Sequence, residues 1–362
     1  MDLKNLDKKL IKRLGIIFGG IICIFLIIII VKLIIGNRIS YNKIENKMIE
    51  SAKKYYQEHS EELPTTSGGS ITIGTDKLIE LEYLKDLTKL VKDKDAICQG
   101  EIKVTNNNSY YLYSATLNCG DYYKTKKFTE ALTSNIVTSG DGLYQIGDAY
   151  VFRGENVNNY VSFAGKTWLI LRINNDGTIR MIETTKRQSV TWDDRYNSNR
   201  ESNVGINDFN VSRIKDTLEY IYSDPEEFTD IDKAYISNQN LCIGKRDDNS
   251  TINDGSIECS NVVENQPLGL IQVNEFALAS IDGSCHHVTD PECTNYNYLT
   301  QLNSYWTLTA DANSTHKVYK ISGSPFISTA SGTSKARIVV HINAGVNYDS
   351  GDGTATNPYI FK

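Results

Sequence analysis

The sequence predicts an α+β protein with a single N-terminal transmembrane helix and a loop-rich second domain. Three observations predict this class: an apolar run at residues 15–35, six further cysteines that fall as close neighbours, and many short apolar segments between polar loops. A helix of this run would be about 32 Å long, enough to cross the roughly 30 Å hydrocarbon core of a bilayer. We therefore expect the lipid bilayer to be a partner of residues 15–35.

The residues before the apolar run are basic, with five Lys and Arg against two Asp in residues 1–14. The positive-inside rule places this tail in the cytoplasm and the C-terminal domains outside the cell. A cleaved secretory signal is the alternative, but such signals have a shorter apolar core and a small-residue cleavage site. The sequence continues with GNRIS instead, which favours an uncleaved anchor and a single-pass protein of the cell membrane.

The charge and length of the remainder limit the function classes. The chain has a formal net charge of −6 although residues 1–35 are basic, so the rest is acidic. Because an acidic surface repels phosphate backbones, we expect no nucleic acid as a partner. A chain of this length is longer than a single hydrophobic core usually covers. We therefore predict a membrane-proximal domain at residues 36–123, a linker at 124–145 and a distal domain at 146–362.

The cysteines outside the apolar run indicate disulfide bonds. Closing a short loop costs the least entropy, which favours sequential pairing. The predicted structural disulfides are Cys98–Cys119, Cys242–Cys259 and Cys285–Cys293. An even number of cysteines outside the apolar run is typical of a protein in an oxidising compartment. Zinc binding is the alternative, but the sequence has no C-x-x-C spacing.

The membrane-proximal domain is predicted to begin with an amphipathic helix over residues 41–59. Its apolar positions recur at helical spacing and are Ile44, Met48, Ala52 and Tyr55. We expect a short strand at 71–73, a helix capped by Asp76, and a hairpin of strands 99–105 and 109–117 to follow.

This layout resembles a type IV pilin-like subunit. The resemblance implies a pilin-like α+β domain and self-association through residues 15–59 in a surface filament or secretion apparatus. The sequence has Arg13-Leu14-Gly15-Ile16-Ile17 where pilin precursors have a Gly-aromatic processing site, and it has no acidic residue in the run. A membrane tether is therefore the first interpretation and a pilin-like assembly subunit the alternative.

The distal domain is predicted to form a cluster of short strands around a core that includes Trp168. An Asp-Gly turn within residues 174–177 joins two of these strands. The predicted strands are 149–153, 160–163, 166–173 and 178–183. Short apolar segments then alternate with polar loops, at 234–236, 268–273, 305–309, 318–321 and 337–342. The helix signals are a stripe of Val211, Ile214, Leu218 and Ile221 after a capping Asn210, and a short segment at 274–279.

Five segments of the distal domain resemble an uncharacterised domain family on surface proteins of low-GC Gram-positive bacteria. They are Tyr150 to Phe163, Gly165 to Trp168, Gly269 to Phe276, Tyr305 to Thr309 and Ala336 to Ile342. The late WTLT and ARIVV segments are also similar to the end of C-type-lectin-like folds that include formylglycine-generating enzymes. The resemblance implies a loop-rich, mixed α/β C-type-lectin-like domain. Oxidase chemistry needs free cysteines, so paired cysteines imply a non-catalytic relative.

Candidate ligand-binding residues lie in one short loop, at Asn295, Tyr296, Asn297 and Tyr298. Tyrosine offers contact area and a hydroxyl at a low entropy cost, which suits a carbohydrate or a protein ligand. A loop core filled by tyrosine is the alternative interpretation.

Metal and catalytic signals are weaker. His286 and His287 lie in the Cys285–Cys293 loop, and the aspartates from Asp247 to Asp254 offer calcium-type oxygens without the spacing of a calcium loop. We expect no metal and no cofactor, with calcium as the alternative. We assign no catalytic residue, although a dispersed triad with His316 or His341 would make the chain an envelope enzyme. The sequence therefore favours a membrane-anchored surface protein for binding, adhesion or display, with an unknown extracellular ligand.

Overall fold

The computed structural model describes Ile17, Phe18, Ile21, residues 38–108 and residues 110–362. Six α-helices have their bounds in these residues, several separated by short 3₁₀ segments. They are α1 (Tyr41–Glu58), α2 (Thr75–Glu80), α3 (Phe128–Leu132), α4 (Arg213–Ser223), α5 (Asp230–Tyr235) and α6 (Val273–Ala279).

Strands predominate in the described part of the chain. The first eight are β1 (Ser70–Gly74), β2 (Gln99–Asn107), β3 (Tyr110–Asn118), β4 (Gly142–Ile146), β5 (Ala149–Arg153), β6 (Tyr160–Phe163), β7 (Lys166–Ile173) and β8 (Ile179–Glu183). The next six are β9 (Ser189–Thr191), β10 (Gln239–Cys242), β11 (Lys245–Arg246), β12 (Val262–Gln266), β13 (Leu268–Gly269) and β14 (Tyr305–Asp311). The last six are β15 (Lys317–Ser322), β16 (Ser324–Thr329), β17 (Thr333–Lys335), β18 (Val339–Ile342), β19 (Tyr348–Ser350) and β20 (Ile360–Phe361).

The chain forms two compact units whose segments alternate along the sequence. The smaller unit comprises residues 1–60, 72–102 and 115–124, and the larger unit comprises residues 61–71, 103–114 and 125–362. Strands β1, β2 and β3 lie in this order in one sheet.

The smaller unit is organised around α1. The helix buries the predicted stripe completely or almost completely: Ile44, Met48, Ala52 and Tyr55 are at most 2% exposed. Since these positions repeat every three to four residues, they lie on one face of the helix and form the core with residues such as Leu78 and Leu90. The helix prediction for residues 41–59 is therefore confirmed to within one residue.

The larger unit contains two main sheets. One has the order β13-β18-β8-β7-β5-β4, with β6 also paired to β7, and the other has the order β16-β15-β14-β17-β9, with β11 also paired to β14. Strands β7 and β8 form the hairpin that the sequence predicted. Gly177 has a φ of +80° in its turn, a left-handed conformation that glycine adopts without steric cost.

Three tryptophans mark the core of the larger unit. Trp168, Trp192 and Trp306 are fully buried, and the indole Nε1 of Trp168 donates a hydrogen bond to Phe163 O at 2.9 Å. The ring of Trp168 also lies against Phe163 and Phe228, with centroid distances of 6.1 and 6.4 Å. The core position predicted for Trp168 is confirmed.

The fold class predicted from the sequence is wrong. Instead of a pilin-like α+β domain and a C-type-lectin-like domain, the described residues form a mixed α/β structure with five sheets and short helices. None of the helices described for this chain is long and apolar enough to span a bilayer. Residues 1–14 and nearly all of residues 15–35, the predicted tail and anchor, lie outside the described residues. The error has a physical source: the two analogies matched the order of local elements, which does not determine how strands pair into sheets.

Some local predictions also differ from the structure. Residues 124–145, predicted as a linker, contain α3 and the start of β4, and Phe128 is fully buried in the core of the larger unit. Residues 234–236, one of the short apolar segments, fall at the end of α5, because Thr229 and Asp232 form a capping box that begins a helix there. The N-cap of α4 is Ser212 and not the predicted Asn210. Val211 therefore lies outside α4 and is 47% exposed.

Three disulfide bonds join Cys98 to Cys119, Cys242 to Cys259 and Cys285 to Cys293. These are the sequential pairs predicted from the sequence. Disulfides of this kind are typical of domains in oxidising compartments.

Candidate functional site

A polar cavity of about 350 Å³ opens at one end of the large sheet in the larger unit. Its sides come from the β7–β8 hairpin, from β10, from the end of β18 and from the residues that begin α6. Residues that line it include Arg172, Arg180, Gln239, Asn240, Gln272 and His341. The cavity is a candidate ligand-binding site because it brings two arginines and several amides to one place.

Strand register places three of the four charged or titratable side chains of the cavity in a row. Arg172 of β7 lies opposite Arg180 of β8, and Arg180 lies opposite His341 of β18. Residues directly opposite each other on neighbouring strands share one face of a sheet. The row is therefore fixed by backbone hydrogen bonds and does not depend on a flexible loop.

Arg180 is held by an ion pair that is almost completely buried. Its Nε lies 2.6 Å from Glu275 Oε1 and its Nη2 2.8 Å from Glu275 Oε2, and both side chains are at most 5% exposed. Nη2 also donates to Leu270 O at 3.1 Å. Burial alone would raise the pKa of Glu275, but attraction to Arg180 and Arg172 outweighs it and lowers the pKa. Glu275 is thus a carboxylate in the folded protein.

Glu275 is positioned by the first turn of α6. Its Oε2 accepts a hydrogen bond from the backbone N–H of Gln272 at 2.9 Å, as part of a capping box with Gln272. The side chain of Gln272 donates to Cys242 O at 3.0 Å, and Cys242 is bonded to Cys259. The helix start, the ion pair and the disulfide therefore support one another at the wall of the cavity.

Arg172 differs from Arg180 in its contacts. Its Nε is buried and has no hydrogen-bond partner among the described residues, and its nearest carboxylate oxygen is Glu275 Oε1 at 3.9 Å. The side chain is 32% exposed and lines the cavity. Since Glu275 is already engaged by Arg180 in two hydrogen bonds, the Arg172 guanidinium is the cation that remains available to a ligand.

His341 is neutral in this environment. Burial, followed by the positive charges of Arg180 and Arg172, holds the pKa of His341 well below its ordinary value. Its Nε2 lies 3.1 Å from Arg180 Nη1, and because guanidinium only donates, Nε2 accepts this hydrogen bond. With that lone pair occupied, the ring nitrogen facing Arg180 is not free to take a proton from a substrate. The arrangement favours binding over acid–base catalysis.

The rim of the cavity is made of amides and one exposed carboxylate. Asn174, Asn175 and Asp176 come from the β7–β8 turn, and Gln239 and Asn240 come from β10. Asp176 is occupied by its own turn, since Oδ1 accepts hydrogen bonds from the backbone N and the hydroxyl of Thr178 at 2.9 and 2.6 Å. The amides provide both donors and acceptors at the entrance.

The residues predicted to bind a ligand lie elsewhere in the larger unit and do not line this cavity. Asn297 and Tyr298 are buried, and Asn297 Nδ2 donates to Phe276 O and Cys293 O at 2.8 Å each. Asn295 Nδ2 donates to Asp282 Oδ2 at 2.7 Å, and Tyr296 is 58% exposed. Asn297 and Tyr298, two of the four predicted residues, therefore have a structural role in this loop.

The residues considered for metal binding make local contacts. Asp290 Oδ2 accepts hydrogen bonds from the backbone N of His286 and His287 at 2.9 and 2.7 Å. Asp247 and Asp254 accept hydrogen bonds from the backbone N two residues further on, each at 2.9 Å. These carboxylates stabilise turns in the two disulfide loops. Calcium binding at Asp247 to Asp254 stays the alternative to the predicted absence of a metal.

The sequence patterns did not single out Arg172, Arg180 or Glu275, and they offered His341 only as a member of a dispersed triad. The signal that was present is the occurrence of charged residues inside strands whose neighbours are apolar, as in LILRI, TIRMIE and VVHI. Buried charges are normally paired, so such positions indicate an ion-pair network or a polar site. The predicted hairpin makes β7 and β8 neighbours, but the sequence could not show that β18 pairs with β8 on its other side.

No family model, no curated protein and no solved structure matches the chain.

The low pKa of His341 makes the larger unit sensitive to acid. An unfolded chain binds a proton at this histidine below about pH 6.5, whereas the folded chain does not. The free energy of unfolding is therefore expected to fall as the pH drops below about 6.5, by up to about 1.4 kcal/mol for each pH unit. The measurement is urea denaturation at pH 7, 6 and 5, followed by tryptophan fluorescence, since all three tryptophans lie in the larger unit.

His341→Asn is expected to remove most of this pH dependence between pH 6.5 and 5. His316, whose pKa is also lowered by burial, gives a matched control in His316→Asn, which is expected to have the smaller effect. An unchanged pH slope in His341→Asn would contradict a neutral, buried His341.

Proposed function

We propose that the chain is a single-pass membrane protein with its N-terminus in the cytoplasm, and that its larger unit binds an acidic saccharide outside the cell. The apolar run at residues 15–35 and the basic tail before it support the anchorage and orientation. The three disulfide bonds support an oxidising compartment for both units. The polar cavity supports the ligand class.

The observation that carries the ligand class is the guanidinium of Arg172, which lines a cavity rich in amides and whose Nε makes no hydrogen bond among the described residues beyond a long ion pair of 3.9 Å to Glu275. A carboxylate is the planar anion that a guanidinium binds with two parallel hydrogen bonds. The amides of Asn174, Asn240 and Gln239 suit the hydroxyl groups of a sugar, because each amide both donates and accepts. A saccharide with a carboxylate therefore uses both features of the cavity, and a neutral sugar uses only the rim.

The absence of a free nucleophile among the lining residues supports binding without turnover. The sulfur of Cys242 is held in a disulfide bond, and the lone pair of His341 Nε2 is occupied by Arg180. No serine lines the cavity in the described part of the chain. The role that follows is recognition of an acidic polymer at the cell surface.

Replacing Arg172 by glutamine is expected to weaken binding of an acidic glycan about 10- to 100-fold, which corresponds to one charge-assisted hydrogen bond of about 1.5–3 kcal/mol. The measurement is binding of the full chain in neutral detergent to an array of uronic and sialic acids with their neutral counterparts. Because Arg172 Nε makes no hydrogen bond, the variant is expected to fold normally.

Arg213→Gln is the matched control, since Arg213 lies in the same unit and its side chain is 56% exposed. It is expected to bind as the unchanged chain does. Equal binding of acidic and neutral glycans, or no loss in Arg172→Gln, would contradict the proposed ligand class. The anchorage is tested separately by alkaline carbonate extraction of membranes, in which the chain is expected to stay in the pellet.

A further inference from the structure

The smaller unit has its own concave site, which is distinct in chemistry from the cavity of the larger unit. It has a volume of about 450 Å³ and lies between α1 and the chain around residues 83–85. Its cationic lining residues are Arg38, Lys47, Lys54 and Lys85, and Glu50 is the one carboxylate that lines it. The site is therefore strongly positive although the chain as a whole is acidic.

The cations come from separate segments that the fold brings together. Lys47 and Lys54 are seven residues apart on α1, so two turns of the helix place them on the same face. Lys85 lies across the site in the segment that follows α2, and Ser51 of α1 donates a hydrogen bond to Tyr83 O at 2.8 Å. Arg38 is held by a hydrogen bond from its Nη1 to Lys92 O at 2.9 Å.

The three lysines are available to a ligand. Lys47, Lys54 and Lys85 are exposed, and in the described part of the chain they have no ion-pair or hydrogen-bond partner. Uncompensated cations around one concavity attract anions, and lysine binds phosphate as a compact point charge. Arg38 adds a planar donor at the edge of the same site.

The floor of the site is apolar. Leu84 and Leu90 line it and are at most 6% exposed, and Ile39 lies beside them with its backbone N–H bonded to Leu90 O at 2.9 Å. A small inorganic anion makes no use of such a floor. A ligand that carries a phosphate and an apolar portion contacts both the cations and the leucines.

The position of the site in the sequence identifies the source of such a ligand. Arg38 follows the apolar run of residues 15–35 after only two residues. We propose that this site binds the phosphate headgroup of an anionic phospholipid next to the membrane anchor. The proposal rests on the anchorage proposed above for the source of the lipid, and it is independent of the saccharide ligand.

The test is native mass spectrometry of the full chain in a neutral detergent, with equimolar phosphatidylglycerol and phosphatidylcholine of identical acyl chains. Adducts of phosphatidylglycerol are expected to predominate. Lys47→Gln/Lys54→Gln/Lys85→Gln is expected to lower their preference about tenfold or more, because each lysine contributes to the attraction of anionic lipid. The matched control is Lys43→Gln/Lys94→Gln/Lys124→Gln, which removes the same charge from exposed positions of the same unit outside the site.

Three results would overturn the proposal. They are equal adducts of the two lipids, an equal loss in the control variant, and displacement of the lipid by a large excess of inorganic phosphate, which would assign the site to free phosphate. Circular dichroism establishes that the variants are folded. Carbonate extraction separates a failure of the anchorage from a failure of this site, because the detergent experiment does not require a membrane.

Discussion

Replacing Glu275 by glutamine is expected to lower the free energy of unfolding of the larger unit by about 3–5 kcal/mol. Glutamine keeps the size of the side chain and can still accept a hydrogen bond from Gln272 N, so the change isolates the charge. Without the carboxylate, the guanidinium of Arg180 remains 4% exposed beside Arg172 with no anion to compensate it. The measurement is urea denaturation followed by tryptophan fluorescence.

Two comparisons test this interpretation of Glu275. Removing both charges in Arg180→Met/Glu275→Leu is expected to recover most of the stability, because the cost lies in the unpaired charge. Glu219→Gln breaks the exposed pair with Lys215, whose atoms lie 3.6 Å apart, and is expected to cost at most about 1 kcal/mol. A loss in Glu275→Gln no larger than that in Glu219→Gln would show that the buried pair does not stabilise the unit.

Replacing Trp168 by alanine is expected to cost about 3–5 kcal/mol, the range for truncating a large buried aromatic residue. The side chain is fully buried and lies on β7, the strand that carries Arg172. Removing the side chain is therefore also expected to destabilise β7, the strand that positions the cavity. Denaturation followed by the fluorescence of the two remaining tryptophans measures the effect.

Trp168→Phe separates packing from hydrogen bonding at this position. It keeps an aromatic ring but removes the indole N–H that donates to Phe163 O, so its expected cost is smaller than that of alanine. If both variants were as stable as the unchanged chain, Trp168 would not be part of the core that supports β7.

Local patterns in the sequence were sufficient to predict most helices and strands near the candidate site. The short aliphatic segments around Trp168 and the Asp-Gly turn predict β5 to β8 almost to the residue, and the spacing of apolar residues predicts α1. These signals are local, because a turn or a helix face involves residues close in the chain. The short separations between cysteines predict the three disulfide pairs for the same reason.

The candidate site could not be predicted because it depends on contacts between distant residues. Arg180 meets Glu275 and His341 across 95 and 161 residues of sequence. Nothing local in TIRMIE indicates which helix supplies the carboxylate or which strand supplies the histidine. The fold class failed for a related reason, since the order of short elements was matched to known architectures without evidence for how their strands pair.

The alternating segments of the two units have a consequence for how this protein can be made and divided. Residues 61–71 and 103–114 belong to the larger unit, whereas residues 72–102 and 115–124 belong to the smaller one. No single truncation point yields a complete larger unit without residues of the smaller one. During synthesis, the larger unit cannot be complete until residue 362 has been translated, although its first segments leave the ribosome early. Expression boundaries and gene fusions for this protein therefore have to keep residues 61–362 together.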